Sequence, residues 1–147
     1  MLLVPFDGSA LAKTALSRAR EFGSALGEDV LVLVVVPHDA SFARERGWIT
    51  ADEPFDPQRA GDELAMTAGE IAPESEVHVE TTEATSSLAS TETDISRTIR
   101  EVAHERDATV VFVGSENAGR VTAPPTSVGT PVAEDPDYDV YIARHAE

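Results

Sequence analysis

Two short polar turns contain the residue types in this chain that could do chemistry. Asp7-Gly8-Ser9 follows the apolar run 1–6, and Gly114-Ser115-Glu116-Asn117 follows the apolar run 110–113. In a parallel α/β sheet, the turn after a strand lies at the carboxyl edge, where backbone N–H groups at the start of a helix can hold an anion. The two turns therefore predict a ligand crevice bordered by the ends of the first and fourth strands.

Most enzyme and metal chemistries are excluded by residue types that the chain lacks. The absence of cysteine removes disulfides, thiolate catalysis and zinc–thiolate sites. A Walker-type nucleotidase needs Gly-Lys-Ser/Thr and a phospho-receiver domain needs a lysine after its fifth strand, but the single lysine is Lys13. The histidines lack metal-ligand spacing, and no nucleophile–base pair or carboxylate pair can be argued from spacing. We expect a binding or regulatory domain without a metal site, and not a committed enzyme.

Apolar runs alternate along the chain with segments whose apolar residues recur at helical spacing. The predicted strands are 1–6, 30–36, 76–83, 109–113 and 139–143. The predicted helices are 10–26, 57–72 and 94–106, and the predicted long loops are 38–56 and 83–93. This alternation predicts a single α/β domain over 1–147, a Rossmann-like, doubly wound parallel sheet of five strands. The strand order 3-2-1-4-5 would bring the two polar turns together where the order reverses.

The net charge of −16, from 27 acidic against 11 basic residues, is the unusual feature of the composition. It has two explanations: an acidic surface for a basic partner, or a halophilic protein whose surface repulsion is screened by a salt-rich cytoplasm. The acids are scattered along the chain, which favours the second. Nucleic acid is not an expected partner, because phosphate binding needs a basic patch. The longest apolar run, 30–37, is strand-sized and residues 1–6 read as a strand, so we expect a cytoplasmic protein without a signal peptide or membrane contact.

Several segments in order resemble the universal stress protein family. Val4-Pro5-Phe6-Asp7-Gly8-Ser9 before an Ala/Leu-rich helix is similar to the opening of that family, and Val34-Val35-Val36-Pro37 and 107–115 continue the likeness. Residues 127–144 align without a gap to the family's last helix and strand. Members are small doubly wound domains that usually dimerise, and one branch binds ATP. The resemblance implies a regulatory domain that binds ATP, with or without Mg²⁺, and forms a homodimer through its last strand.

The phosphate loop of the ATP-binding branch is altered here. That loop has a glycine, two residues, a second glycine, nine residues, and then Gly-Ser or Gly-Thr. Gly114 keeps the first position, Asn117 takes the second, and Thr126-Ser127 replaces the closing pair after a segment one residue shorter. Pro124-Pro125 within it removes two N–H donors. Asn tolerates positive φ better than most residues, so we expect Asn117 to preserve the glycine turn.

The resemblance places adenosine beside Asp7 and Val35, and the phosphates beside the second polar turn and Ser127. The implied nucleotide-binding residues are Pro5, Asp7, Val35, Val113, Gly114, Asn117, Thr126, Ser127 and Val128. Asp7 has a structural alternative as the cap of the first helix. Arg120 is either a phosphate ligand or a solvated loop arginine, and Trp48 either covers the crevice or a partner surface, or packs on its own domain.

Two functions stay open at this point. The first is an adenine-nucleotide-binding regulatory domain whose phosphate end is weakened. The second is a degenerate member that acts only through protein–protein contacts, with 38–56 and 83–93 as its interaction surfaces and an unknown protein partner. Slow hydrolysis of bound ATP is neither supported nor excluded by the residues.

Overall fold

A computed structural model describes residues 1–82, 88–122 and 138–146, and of 88–90 only the backbone. The predicted last helix, together with Thr126, Ser127 and Val128, lies outside the described residues. No helix in the described ranges is long and apolar enough to cross a membrane.

Five parallel strands form one sheet in the order β3-β2-β1-β4-β5, which confirms the predicted order 3-2-1-4-5. The strands are β1 Leu2–Pro5, β2 Val30–Pro37, β3 Glu76–Thr82, β4 Val110–Gly114 and β5 Asp139–Ala143. In the register of the central strands, Leu3 lies between Leu31 and Val111. The order reverses between β1 and β4, whose carboxyl ends therefore open onto one crevice.

The helices of the described residues are α1 Ala10–Leu26, α2 Ala40–Glu45, α3 Pro57–Ile71 and α4 Leu88–Glu105, and a 3₁₀ helix covers Ser115–Arg120. The polar turn after β1 starts α1: the Ser9 hydroxyl oxygen accepts the Ala12 N–H at 3.2 Å. Gly27, at φ 68°, ends the helix in the left-handed conformation.

Two of the predicted loops are partly helical. The stretch 38–56 contains α2, which begins where the Asp39 carboxylate accepts the Phe42 N–H at 3.1 Å; six residues are too few to show a helical period. The prediction of a loop over 83–93 was also wrong from residue 88 onward, because α4 begins at Leu88 and not at Asp94. Thr91 is buried and its hydroxyl donates to Asp39 at 2.9 Å, a tertiary contact that stabilises a turn of polar, loop-like composition.

Side chains of the strands alternate between two cores, one on each face of the sheet. α1 and α3 cover the face that contains Val4, Val34 and Phe112. α4 and Phe42 of α2 cover the face that contains Leu33, Val35 and Val113. β2 is buried from Leu31 to Pro37, as its apolar composition on both faces predicts. Helices on both faces confirm the doubly wound architecture.

Candidate functional site

A crevice lies at the carboxyl ends of β1, β2 and β4, on the α4 face of the sheet. Its walls are apolar at Leu33, Val35 and Val113 on the strands and at Ile95 and Ile99 on α4. Its other lining residues are Pro5, Phe6, Asp7, Phe42, Arg46, Trp48, Asn117 and Arg120. An apolar slot with a few convergent polar groups is the usual form of a small-molecule site.

Asp7 is the centre of the polar contacts. Its Oδ1 accepts the Ser9 backbone N–H at 3.0 Å, and its Oδ2 accepts from Arg46 Nη1 at 2.6 Å and Asn117 Nδ2 at 3.0 Å. Burial raises the pKa of the Asp7 carboxyl, but the hydrogen bonds from Ser9 and Asn117 and the positive charge of Arg46 lower it by more. The pKa therefore lies below its ordinary value, and Asp7 is a carboxylate at neutral pH. The cap of α1 is Ser9, so that alternative for Asp7 is wrong, although Asp7 does hold a turn amide.

Asn117 does not preserve a glycine turn. Residues 115–120 form a 3₁₀ helix, and Asp107 is the single non-glycine residue of the described ranges with positive φ. Asn117 contributes its side-chain amide instead: Nδ2 donates to Asp7, and Oδ1 accepts from Arg120 Nε at 3.0 Å and Arg46 Nη1 at 3.5 Å. The expectation of a positive φ was wrong because the amide has polar partners on two other segments.

Gly114 is needed for packing and not for an unusual φ, which is −73°. A Cβ on Gly114 would lie 2.6 Å from Cβ of Leu11 and 3.3 Å from the Leu11 carbonyl carbon. Glycine here lets α1 pack directly against the end of β4. The retained glycine is therefore explained without a phosphate.

Arg120 is a buried crevice residue, which excludes the solvated-loop alternative. Its side chain is 14% exposed, and its guanidinium lies 6.0 Å from the Phe42 ring centre. Nη2 is 3.7 Å from Glu92 Oε1, and Nη1 is buried without a hydrogen-bond partner among the described residues. Burial lowers the pKa of Arg120, as does the charge of Arg46, because the two guanidinium groups share the crevice.

Phe42, Arg46 and Trp48 cover the crevice. The Trp48 indole N–H donates to the Asp7 carbonyl oxygen at 2.9 Å, and its ring packs edge-on against Phe42 at 5.6 Å. The Arg46 guanidinium lies 4.8 Å from the centre of the same Phe42 ring. Trp48 therefore both packs on its own domain and covers the crevice. The remaining cavity volume is about 30 Å³, room for about one water molecule, whereas ligand pockets usually reach several hundred.

The structure brings five of the residues implied by the resemblance together around the crevice: Pro5, Asp7, Val35, Val113 and Asn117. Gly114 lies at the end of β4 but faces Leu11. Sequence reasoning missed Phe42 and Arg46, which come from the stretch interpreted as a loop. The signal available in the sequence was Asp39, a typical helix cap, which is followed by Phe42 and, four residues later, by Arg46.

This fold and crevice define a class: a Rossmann-like α/β domain with a crevice at its topological switch point. The family model described as the Universal stress protein family matches residues 1–144, so the chain belongs to that family. Comparison with curated proteins finds no significant match.

Solved structures of universal stress proteins share the fold. One, determined in complex with cAMP, is 20% identical, with 99% of this chain and 97% of that chain covered and a TM-score of 0.53. UspA from Lactobacillus plantarum is 16% identical, with 97% and 96% covered and a TM-score of 0.53. A universal stress protein from Archaeoglobus fulgidus is 19% identical, with 97% of each chain covered and a TM-score of 0.55. At these identities the likeness shows the fold alone.

Proposed function

We propose that this chain is a regulatory domain that binds an adenine nucleotide, ATP with Mg²⁺ among the candidates, in the crevice over β1 and β4. The observation that carries the proposal is an ionised, buried carboxylate, Asp7, beside an apolar slot at the switch point. Membership of the family supports it, as does the cAMP complex of a structurally similar member.

The chemistry of the lining suits the two ends of a nucleotide. The slot between Val35 and Val113 is apolar, which suits a purine ring, because such a ring is largely hydrophobic on its faces. Asp7 accepts hydrogen bonds, and ribose hydroxyls and the adenine amine donate them. The phosphates would then lie towards Asn117 and Arg120. Entry of the ring requires Arg46 and Trp48 to move, because both occupy the slot side of Asp7.

We also propose a binding domain and not an enzyme. Asp7 is the only carboxylate among the described lining residues, and its ion pair with Arg46 makes it a weak base. As further parts of the proposal, the protein is a cytoplasmic, salt-adapted homodimer. β5 lies at an edge of the sheet with β4 as its one partner in the described residues, which leaves it free to pair with a second copy.

A second function is favoured by one specific observation. The crevice is nearly filled by the chain's own side chains, so the domain is well packed without a ligand. A member that works only through protein–protein contacts would need no open crevice. The segment from α2 to Trp48 would then be a rigid surface feature and not a cover that moves.

Titration separates the two functions. ATP, ADP, AMP, cAMP and adenosine, with GTP as a control, are titrated with Mg²⁺ present and followed by calorimetry and by the fluorescence of Trp48, the only tryptophan. Val35→Phe fills the slot and is expected to weaken every adenine compound by about tenfold or more, since a ring in the slot cannot coexist with adenine. Val79→Phe, at a 37% exposed position on β3, is the matched control and is expected to have no effect.

Melting curves show whether the two phenylalanine variants fold. Failure of every adenine compound to bind the wild-type protein at millimolar concentration would refute nucleotide binding and favour protein contacts. Equal weakening by Val79→Phe would refute the location of the site.

A further inference from the structure

The starting observation is a buried cationic donor without a partner. Arg120 is 14% exposed, Nε donates to Asn117 Oδ1, and the Nη2 contact to Glu92 is long at 3.7 Å. Nη1 has no hydrogen-bond partner in the ranges that the structure describes. A buried charged donor left unpaired costs free energy, and the usual reasons for keeping one are a ligand or a functional role. This donor lies at the wall of the crevice.

The second observation is the balance of charge. The charged residues among the described lining are Arg46, Arg120 and Asp7, two positive and one negative, in a chain whose net charge is −16. Glu92, the other carboxylate near Arg120, is 57% exposed and therefore well solvated. The charged lining residues of the crevice therefore carry a net positive charge in an acidic protein, and one further negative charge would balance it.

The third observation is that two arginine side chains converge on one atom. Arg120 Nε and Arg46 Nη1 lie 3.0 Å and 3.5 Å from the same atom, Asn117 Oδ1. The two guanidinium groups therefore meet at the Asn117 end of the crevice. Guanidinium groups bind phosphate through paired, charge-assisted hydrogen bonds.

We propose that Arg120, together with Arg46, binds the phosphate of a nucleotide that carries a single phosphate group. This inference rests on the proposed function for the adenosine part and adds the class of nucleotide and the residues that select it. Two guanidinium groups suit one phosphate group, which carries about −1.5 to −2 in a monoester such as AMP and a single negative charge in a cyclic diester such as cAMP. A triphosphate would bring further negative charge to an acidic protein whose glycine loop is altered at Asn117.

The experiment compares AMP, cAMP, ATP, adenosine and inorganic phosphate on the wild-type protein and three variants at one KCl concentration. Arg120→Gln removes the charge and both Nη donors but keeps a polar side chain that ends near the position of Nε. Arg97→Gln is the matched control, because Arg97 lies on α4, the helix that covers the same face of the sheet, and is 59% exposed. Arg120→Lys keeps the charge but loses the planar fork, and it serves if Arg120→Gln does not fold.

We expect wild-type protein to bind AMP or cAMP more tightly than ATP and adenosine. Arg120→Gln should weaken the single-phosphate nucleotides roughly 10- to 100-fold, as removal of a hydrogen bond to a charged group does. Its affinity for adenosine should stay within about twofold of wild type, and Arg97→Gln should match wild type. Arg120→Lys should fall between.

Each contrary result refutes a particular part of the proposal. If Arg120→Gln weakens the binding of adenosine as much as that of AMP, or leaves the binding of AMP unchanged, the phosphate role of Arg120 is refuted while nucleotide binding stands. Wild-type affinity that rises from AMP to ATP would refute the single-phosphate class. If no adenine compound binds but inorganic phosphate binds through Arg120, the proposed function fails and the anion site stands. If neither adenine compounds nor phosphate bind, both fail.

Discussion

Charged side chains are largely exposed at the amino edge of the sheet, where the strands begin, and largely buried at the carboxyl edge, where the strands end. At the amino edge, an open groove of about 240 Å³ is lined by Arg20, Glu28, Asp29 and Glu74. Its ion pairs are largely exposed: Arg20 Nε to Glu74 Oε1 at 2.6 Å, with side chains 50% and 63% exposed. At the carboxyl edge, the crevice has about 30 Å³ of space, and the Asp7–Arg46 pair is 16% and 22% exposed.

The comparison shows that the larger space is not the better site. An exposed ion pair contributes little free energy and exchanges readily with water and salt. A buried pair is worth keeping only if its desolvation is offset by further hydrogen bonds, which Asp7 receives from Ser9 and Asn117. Of the two, the crevice combines largely buried charge, an apolar slot and a donor without a partner among the described residues.

The largest expected effect is on stability when Asp7 loses its charge. Asp7→Asn leaves Arg46 without its carboxylate, and we expect a loss of about 2 kcal/mol in the free energy of unfolding. This is less than for a fully buried pair because Arg46 can partly reach solvent. Glu28→Gln, which removes the 34% exposed partner of the N-terminal ammonium group, should lower the free energy of unfolding by less, because the Glu28 carboxylate is more accessible to water than that of Asp7. Urea denaturation of both variants measures the difference, and equal losses would mean that the edges do not differ.

The pH dependence of stability sharpens the same comparison. The Asp7 pKa is lowered in the folded protein, so its contribution is fully present well above the unfolded value of about 3.8 and is lost as pH falls through the lower folded pKa. The pKa values of Glu28 and Glu74 are also lowered, by hydrogen bonds from the N-terminus and from Arg20.

Salt separates these contributions, because 1 M KCl screens the exposed carboxylates and affects Asp7 less. Acid unfolding in 1 M KCl should therefore occur at a higher pH for Asp7→Asn than for wild type, with Glu28→Gln unchanged. If Glu28→Gln shifts as far as Asp7→Asn, burial of Asp7 is not what distinguishes it.

A smaller effect is expected from the cover of the crevice. Trp48→Phe keeps an aromatic ring beside Phe42 but leaves the Asp7 carbonyl oxygen without its donor, at a cost of about 1 kcal/mol. Ser24→Ala, in the amino-edge groove, should be neutral. Thermal melts followed by circular dichroism measure both. A neutral Trp48→Phe would show that the indole hydrogen bond does not hold the cover.

The smallest and most distributed effect is that of bulk salt on the wild-type protein. With a net charge of −16, repulsion between surface carboxylates should weaken as the Debye length falls from about 30 Å at 0.01 M to about 3 Å at 1 M salt. The melting temperature should rise by a few degrees over this range. A flat profile would indicate that the acids are locally paired, as at the amino edge, and would contradict the salt-adapted interpretation.

The resemblance and the β-α pattern predicted the sheet order and the neighbourhood of Asp7, Val35 and Val113. The details of the site were not predictable in the same way. Asn117 was interpreted from the tolerance of Asn for a positive φ, whereas the hydrogen bonds of its side-chain amide determine its role. Arg46 was overlooked because α2 is too short to show a period. These residues act through contacts between segments distant in the chain, and such contacts leave no local pattern.

The sequence by itself determined the architecture, because side-chain periodicity is a local property: alternating faces in strands, helical stripes, and caps such as Ser9 and Gly27. It also excluded disulfides and thiolate chemistry, since these need cysteine and the chain has none. Only the tertiary structure decided that Arg46, Asn117 and Asp7, each on a different segment, share one hydrogen-bond network. It also decided that Trp48 closes the crevice over Asp7. Burial and pairing depend on what folds against a residue, and for these residues that information lies 39 to 110 positions away along the chain.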